Sequence, residues 1–140
     1  MAVFSKIVVG TDGYGPAGRA VERAVELAAA ADAEVVVIHV RPEGHDNPEL
    51  LGDRGGKSVD AAQGVLDDVL KNHGSKANVR TQLRTGSAAE ELLSVAEEES
   101  ADLLVVGNKG MAKRFHTGTV PNRISHHAPC NVLIVHTVEE

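Results

Sequence analysis

The chain has 140 residues, of which 42% are hydrophobic and 24% charged, a composition typical of globular rather than disordered proteins. Twenty acidic residues against 14 Lys and Arg give a net charge of −6, which excludes a nucleic-acid-binding protein that relies on general positive charge. Cys130 is the single cysteine, so no disulfide forms within the chain and a reducing compartment, the cytoplasm, is expected. No apolar run reaches membrane-spanning length, so we expect no membrane partner. Because of the negative net charge, we expect no nucleic acid as partner either. The length predicts one domain over residues 1–140.

Five segments are predicted to be β-strands. Four of them are continuous β-branched runs at residues 6–10, 34–40, 102–107 and 131–136. Such runs are typical of strands covered on both faces, as in a parallel sheet. In the fifth segment, at residues 78–83, apolar and polar side chains alternate, which indicates a half-exposed strand at the edge of the sheet.

Amphipathic patterns predict four helices between these strands, at residues 16–31, 58–72, 87–100 and 120–127. Ser87, followed three residues later by Glu90, has the spacing of a capping box. Gly74 is predicted to end the second helix. The segment 41–56 is rich in glycine, proline and charged residues, so we expect a mobile connection there.

The alternation of strands and helices predicts an α/β fold with an open parallel sheet, helices on both faces and right-handed crossovers. Ligands bind such sheets at the carboxyl ends of the strands, where the strand order reverses. The residues that directly follow the strands are therefore the candidates for a functional site.

The first strand leads into the sequence Gly-Thr-Asp-Gly at residues 10–13. A carboxylate at this position, Asp12, is well placed to accept hydrogen bonds from the hydroxyls of a sugar. An equally good interpretation is that Asp12 caps the following helix or closes the turn.

Residues 13–18 match the dinucleotide-binding pattern G-x-G-x-x-G. The match is weak evidence, because Thr11 and Asp12 separate the strand from the first glycine and no acid ends the second strand. The chain also lacks a P-loop of the form G-x-x-x-x-G-K-[ST]. No metal site is predicted, since no histidine pair has the spacing of a helical metal site.

The segment after the fourth strand carries the strongest signal for ligand binding. Glycines at positions 107, 110 and 118 bracket a segment that contains Lys109, Lys113 and Arg114. Gly118 directly precedes the last predicted helix. Backbone N–H groups beside glycines, together with a helix N-terminus, predict a binding loop for an anion. The alternative is a flexible connection whose glycines serve only turn geometry.

Taken together, these segments resemble the universal stress protein family over essentially the whole chain. The resemblance rests on residues 6–13, residues 101–107, the glycine loop and the ending at residues 127–135. It implies an adenine nucleotide alpha hydrolase-like fold with a five-stranded sheet of order 3-2-1-4-5, and homodimers paired through the C-terminal strand. In one subclass of the family, marked by G-2x-G-9x-G-[ST], it also implies bound ATP.

The resemblance implies a nucleotide site formed by Thr11, Asp12, Val40, Gly107, Gly110, Gly118, Thr119 and Val120. Asp12 matches the acid that binds the ribose, and the backbone at Val40 matches the contact to adenine. Gly107 matches the first glycine of the loop, near the ribose. Phosphate contacts are implied for Gly110, Gly118, Thr119 and Val120.

Two departures from the family pattern bear on the choice of ligand. Seven residues, 111–117, separate the second and third glycines of the loop where the pattern has nine, and Val-Pro-Asn at 120–122 replaces a more polar helix start. A shorter loop leaves less room to bind a triphosphate, whereas cyclic AMP has only a single phosphate to bind.

The expected function is therefore an adenine-nucleotide-binding stress-response module that acts through ligand-dependent conformation or partner binding. ATP is the first expectation, accompanied by Mg²⁺, with AMP, ADP and cyclic AMP as alternatives. No catalytic residue is identified, so any ATP hydrolysis is expected to be slow. One alternative is a dimeric interaction protein that binds no ATP, and another is an enzyme of the dinucleotide-dependent or adenylating kind.

Overall fold

Strands and helices alternate along the residues that the computed structural model describes, which are 4–11, 15–42, 54–108 and 119–137, with the backbone alone at 15–17, 54–59 and 119. The elements in chain order are β1 (Lys6–Thr11), α1 (Gly15–Ala31), β2 (Glu34–Arg41), α2 (Arg54–His73), β3 (Asn78–Thr85), α3 (Ala88–Glu98), β4 (Leu103–Gly107), α4 (Thr119–His127) and β5 (Asn131–Val135).

The five strands form one parallel sheet of order β3-β2-β1-β4-β5. This confirms the α/β fold class and the strand order that the family resemblance implies. β1 lies at the centre, with β2 on one side and β4 on the other, so the strand order reverses at β1.

Two apolar layers cover the sheet, one on each face. Alternate residues of β1 enter opposite layers: Ile7 and Val9 pack with α1 and α2, whereas Val8 packs with α3 and α4. The apolar residues of β1, β2 and β4 are buried because helices cover both faces of the sheet at these strands. The prediction of helices on both faces is therefore confirmed.

The second helix starts earlier than its pattern predicts. α2 begins at Arg54, although Gly55 and Gly56 are poor helix formers, so the predicted mobile connection overlaps the helix at residues 54–56. The rest of that connection, residues 43–53, lies outside the described residues. At the other end α2 stops at His73, as predicted, and a Cβ at Gly74 would lie 2.5 Å from the carbonyl oxygen of Leu70.

Two expectations from the sequence are wrong. β5 is not covered on both faces, because it lies at the edge of the sheet with β4 as its one neighbour, and 44% of Ile134 is exposed. The capping box is also absent: Ser87 occupies the N-cap of α3, but its side chain makes no capping hydrogen bond. Glu90 instead accepts two hydrogen bonds from Arg123 on α4, at 2.7 and 3.0 Å.

Among the described helices, none combines the length and the apolar character needed to span a lipid bilayer.

Candidate functional site

The carboxyl ends of β1 and β4 lie side by side at the point where the strand order reverses. Val9 pairs with Val105, and both strands continue two residues further, to Thr11 and to Gly107. Thr11 is almost fully buried, at 3% exposure. The structure thus brings these two predicted site residues to the same edge of the sheet, where parallel α/β sheets bind ligands. Asp12, Gly110 and Gly118 lie outside the described residues.

β2 extends beyond the end of β1 and forms a step in the sheet. The last pair between β1 and β2 is Thr11 with His39, whereas β2 stays paired with β3 as far as Arg41. Val40 therefore lies one residue beyond the last pair between β1 and β2. The side chain of Val40 is buried in the layer of α3 and α4, so a ligand would meet its backbone, as the family resemblance implies.

A histidine joins the two strand ends at this step. The ring nitrogen Nδ1 of His39 lies 2.9 Å from the carbonyl oxygen of Thr11. A carbonyl oxygen only accepts hydrogen bonds, so Nδ1 carries the proton and donates it. The contact holds the carbonyl group of Thr11, the residue that precedes Asp12 in the sequence.

Gly107 is held in close contact with the chain that follows β5. A Cβ at this position would lie 2.9 Å from the Cγ2 methyl of Thr137 and 3.4 Å from its hydroxyl. The structure therefore provides a packing reason for this glycine in addition to the ligand contact expected from the sequence. Thr137 itself is fully buried.

α4 begins directly after the predicted anion loop. Thr119 is its first residue, and Val120 and Ile124 pack in the core between the helix and the sheet. Because the side chain of Val120 is buried, its predicted contact to phosphate could come only from the backbone N–H. The first N–H groups of a helix have no partners within the helix and suit an anion.

Four residues of this edge were missed by the reading of the sequence: His39, Arg41, Asn108 and Thr137. Each lies at or within two residues of a strand end, which is the signal that could have identified them. A charged residue that ends an apolar strand, such as Arg41, is the clearest of these signals.

A surface depression between α3 and α4 contains none of the predicted site residues. Its lining includes Glu90, Glu97 and Glu98. Three carboxylates repel an anionic ligand, so this depression does not suit a nucleotide. In the parts of the chain that the structure describes, no group of three or more His, Cys, Asp or Glu side chains is arranged to hold a metal ion.

Known proteins similar to this chain match it along almost its entire length. The universal stress protein Rv1636 of Mycobacterium tuberculosis is 37% identical in an alignment of 148 positions, which covers 98% of this chain and 99% of that protein. A putative universal stress protein of Staphylococcus saprophyticus, SSP1056, is 30% identical over 99% of this chain and 87% of its own length.

Solved structures that are similar to this chain also match it over almost its entire length. A universal stress protein crystallised in complex with cAMP superposes with a TM-score of 0.73 at 29% identity, over 99% of this chain and 100% of that one. The hypothetical protein MJ0577 superposes with a TM-score of 0.83 at 22% identity, over 97% and 98%, and shows the fold. The model of the universal stress protein family matches residues 4–136, and with these relatives it shows that the chain belongs to that family.

Proposed function

We propose that this protein binds an adenine nucleotide at the carboxyl ends of β1, β2 and β4. The observation that carries the proposal is the step between β1 and β2, where Val40 extends past its last neighbour on β1 at the reversal of strand order. Backbone groups at such a step are available to the edge of a planar base.

A related structure supports a nucleotide as the ligand. The universal stress protein that is 29% identical to this chain was crystallised with cAMP, and the two chains match over nearly their full lengths. Val40 and Gly107, two residues that the family resemblance matches to nucleotide contacts, lie at or next to the carboxyl ends of β2 and β4.

In this proposal, each part of the nucleotide meets a different strand end. Asp12 accepts hydrogen bonds from the ribose hydroxyls, while the backbone of Val40 contacts the adenine. The phosphate lies against backbone N–H groups at Gly110, Gly118 and the first turn of α4. The described start of α4 at Thr119 agrees with a helix N-terminus at that place.

The length of the loop bears on which adenine nucleotide binds. ATP has three phosphates to place, and the seven residues 111–117 offer less chain than the nine of the ATP-binding pattern. Cyclic AMP needs a single phosphate contact, so the shorter loop favours it or AMP over ATP. Mg²⁺ would enter with ATP, held mainly by the phosphates.

We also propose that two copies pair through β5. Among the described strands β5 has β4 as its one neighbour, and Ile134 is a large apolar side chain with 44% of its surface exposed. An unpaired edge strand with apolar surface is a ready site for association with a second copy. Ligand-dependent changes in such a dimer would link nucleotide binding to a role in the stress response.

Two measurements test the nucleotide proposal. The first is denaturation of the purified protein and identification of any nucleotide that is released. The second is calorimetry with ATP, AMP and cAMP on the parent chain and on Asp12→Ala and Gly110→Val. Each variant should weaken binding about tenfold, which corresponds to roughly 1–2 kcal/mol for a lost hydrogen bond to a charged group.

Arg23→Gln is the matched control, because Arg23 forms an exposed ion pair with Glu26 on α1, away from the strand ends. Its affinity should equal that of the parent chain. Unchanged affinity in both site variants would overturn the assignment of the site. Melting that is independent of millimolar nucleotide would instead support the dimeric interaction protein that binds no nucleotide.

A further inference from the structure

Arg41, the last residue of β2, is a buried arginine with an incomplete set of partners. Only 6% of the residue is exposed. Its backbone is well anchored, because its carbonyl oxygen accepts a hydrogen bond from the N–H of Gly86 at 2.8 Å. The burial of the side chain is therefore a feature of the packed sheet and not of a frayed strand end.

The guanidinium of Arg41 makes one long hydrogen bond through Nη1, and its Nε–Nη2 edge makes none with the described residues. Nη1 lies 3.5 Å from the hydroxyl of Thr85, at the outer limit of a hydrogen bond. Nε and Nη2 are both buried and have no hydrogen-bond partner in the structure as described. By contrast, Arg84 on the neighbouring strand donates hydrogen bonds from Nε, Nη1 and Nη2 to the carboxylates of Glu91 and Glu98.

A buried charge without a partner is unfavourable, and unpaired donors in native proteins usually indicate a missing ligand, ion or water. Nε–H and Nη2–H of a guanidinium point the same way and match two oxygens of one oxyanion. Because the Nε–Nη2 edge is buried and has no partner in the part of the chain that the structure describes, we infer that Arg41 binds a phosphoryl oxyanion, with Nε and Nη2 donating to two of its oxygens.

This anion would not be the phosphate held by the glycine loop. The loop follows β4, whereas Arg41 ends β2, and β1 lies between these two strands. Two strand spacings separate them by about 10 Å. Arg41 therefore provides a second anion site at the same edge of the sheet, on the side of β3, and this site goes beyond the proposed nucleotide function.

Inorganic phosphate is the probe that tests the site without assuming nucleotide binding. Thermal unfolding is measured in sodium phosphate and in sodium chloride of equal ionic strength for the parent chain, Arg41→Met, Arg41→Lys and the matched control Arg23→Met. At about ten times the dissociation constant, phosphate should raise the Tm of the parent chain and of Arg23→Met by roughly 3–8 °C.

Arg41→Met should show no such rise, and Arg41→Lys a smaller one, since an ammonium lacks the planar pair of donors. In chloride, Arg41→Met should unfold at or above the Tm of the parent chain, because it removes an unpaired buried charge. An equal phosphate shift in Arg41→Met and the parent chain would indicate only general salt stabilisation and overturn the inference. A marked loss of stability of Arg41→Met in chloride would also overturn it, because the guanidinium would then be held by the chain itself.

Phosphorus NMR separates the two sources of the oxyanion. Broadening of the inorganic phosphate signal alone, lost in Arg41→Met, assigns the site to free phosphate. Broadening of the AMP signal that is lost in Arg41→Met but kept in Asp12→Ala assigns it to the phosphoryl group of a nucleotide. Binding of adenosine, which has no phosphate, should respond to Asp12→Ala and not to Arg41→Met, so failure of the nucleotide proposal and failure of this inference give different results.

Discussion

Thr137 donates two hydrogen bonds to the same side-chain oxygen of Asn108, one from its backbone N–H at 2.8 Å and one from its hydroxyl at 2.9 Å. Asn108 in turn donates its own backbone N–H to the carbonyl oxygen of Val135 at 2.9 Å. These three bonds tie the residue that follows β4 to the end of β5. They determine where the chain leaves β4 toward the anion loop that the sequence predicts between Gly107 and Gly118.

Loss of this connection should lower the free energy of unfolding. Thr137→Val keeps the shape of the side chain and removes the hydroxyl, at a cost of about 1 kcal/mol. Asn108→Ala leaves two donors of a buried residue without their acceptor, so it should cost about 2–3 kcal/mol. Urea denaturation measures both, with Ser125→Ala, an exposed hydroxyl bonded to the carbonyl of Asn122, as a control of small effect. Equal stability of all three variants would contradict this role for Asn108.

The close approach of Gly107 and Thr137 predicts an interaction between two substitutions. Gly107→Ala places a Cβ 2.9 Å from the methyl of Thr137 and should destabilise the protein by about 1–3 kcal/mol. Thr137→Ser removes that methyl and keeps the hydroxyl, so the double variant should lose less stability than the sum of the single ones. A double-mutant cycle by urea denaturation should give a coupling of at least about 0.5 kcal/mol. Additive effects would show that Thr137 is not the reason for glycine at this position.

A cluster of four charged side chains lies at the amino ends of β1, β2 and β3. Lys6 Nζ is 2.7 Å from Glu34 and 3.1 Å from Glu99, and Arg80 contacts the same two carboxylates. Hydrogen bonds from Arg80 and then from Lys6 lower the pKa of Glu99 from its ordinary value of 4.5. Lys6, followed by Arg80, has the same effect on the pKa of Glu34, which burial partly opposes.

This cluster predicts a loss of stability in acid. A carboxyl whose pKa is lower in the folded state stabilises the fold above pH 4.5, and that contribution is lost as the pH falls through the lowered value. Glu99→Gln should therefore flatten the decline in the free energy of unfolding below pH 4.5. The side chains are partly exposed, so the effect should be about 1 kcal/mol or less. Glu26→Gln, which removes a carboxylate from an exposed pair on α1, is the control variant. An acid profile of Glu99→Gln identical to that of the parent chain would refute the prediction.

Pairing of two copies through β5 predicts a selective effect of charge on assembly. Ile134→Lys places a charge on the exposed edge strand and should shift the protein from dimer to monomer in sedimentation velocity. Leu70→Lys is the matched control, because Leu70 on α2 is almost equally exposed, at 41% against 44%. It should leave the sedimentation coefficient unchanged. A parent chain that is already monomeric at high concentration would contradict the proposed pairing.

Local patterns in the sequence were sufficient to predict the elements and to propose the carboxyl ends of the strands as the place of a functional site. In the amphipathic pattern that predicts α1, Ala20, Ala24 and Ala28 recur on one face, and all three are fully buried. These predictions hold because helix and strand periods are properties of neighbouring residues. The strand order came from the family resemblance and not from the periodicity.

The tertiary structure decided which residues have partners from distant parts of the chain. Residues 131–136 resemble residues 102–107 in composition, yet β5 lies at an edge and β4 does not. Glu90 has the spacing for a cap but binds Arg123, and Arg41 ends an apolar strand without any sign in the sequence that its guanidinium is buried. The sequence by itself determined the elements, because their patterns are local. Burial and hydrogen-bond partners depend on contacts between segments far apart in the chain, so the packed fold alone assigned them.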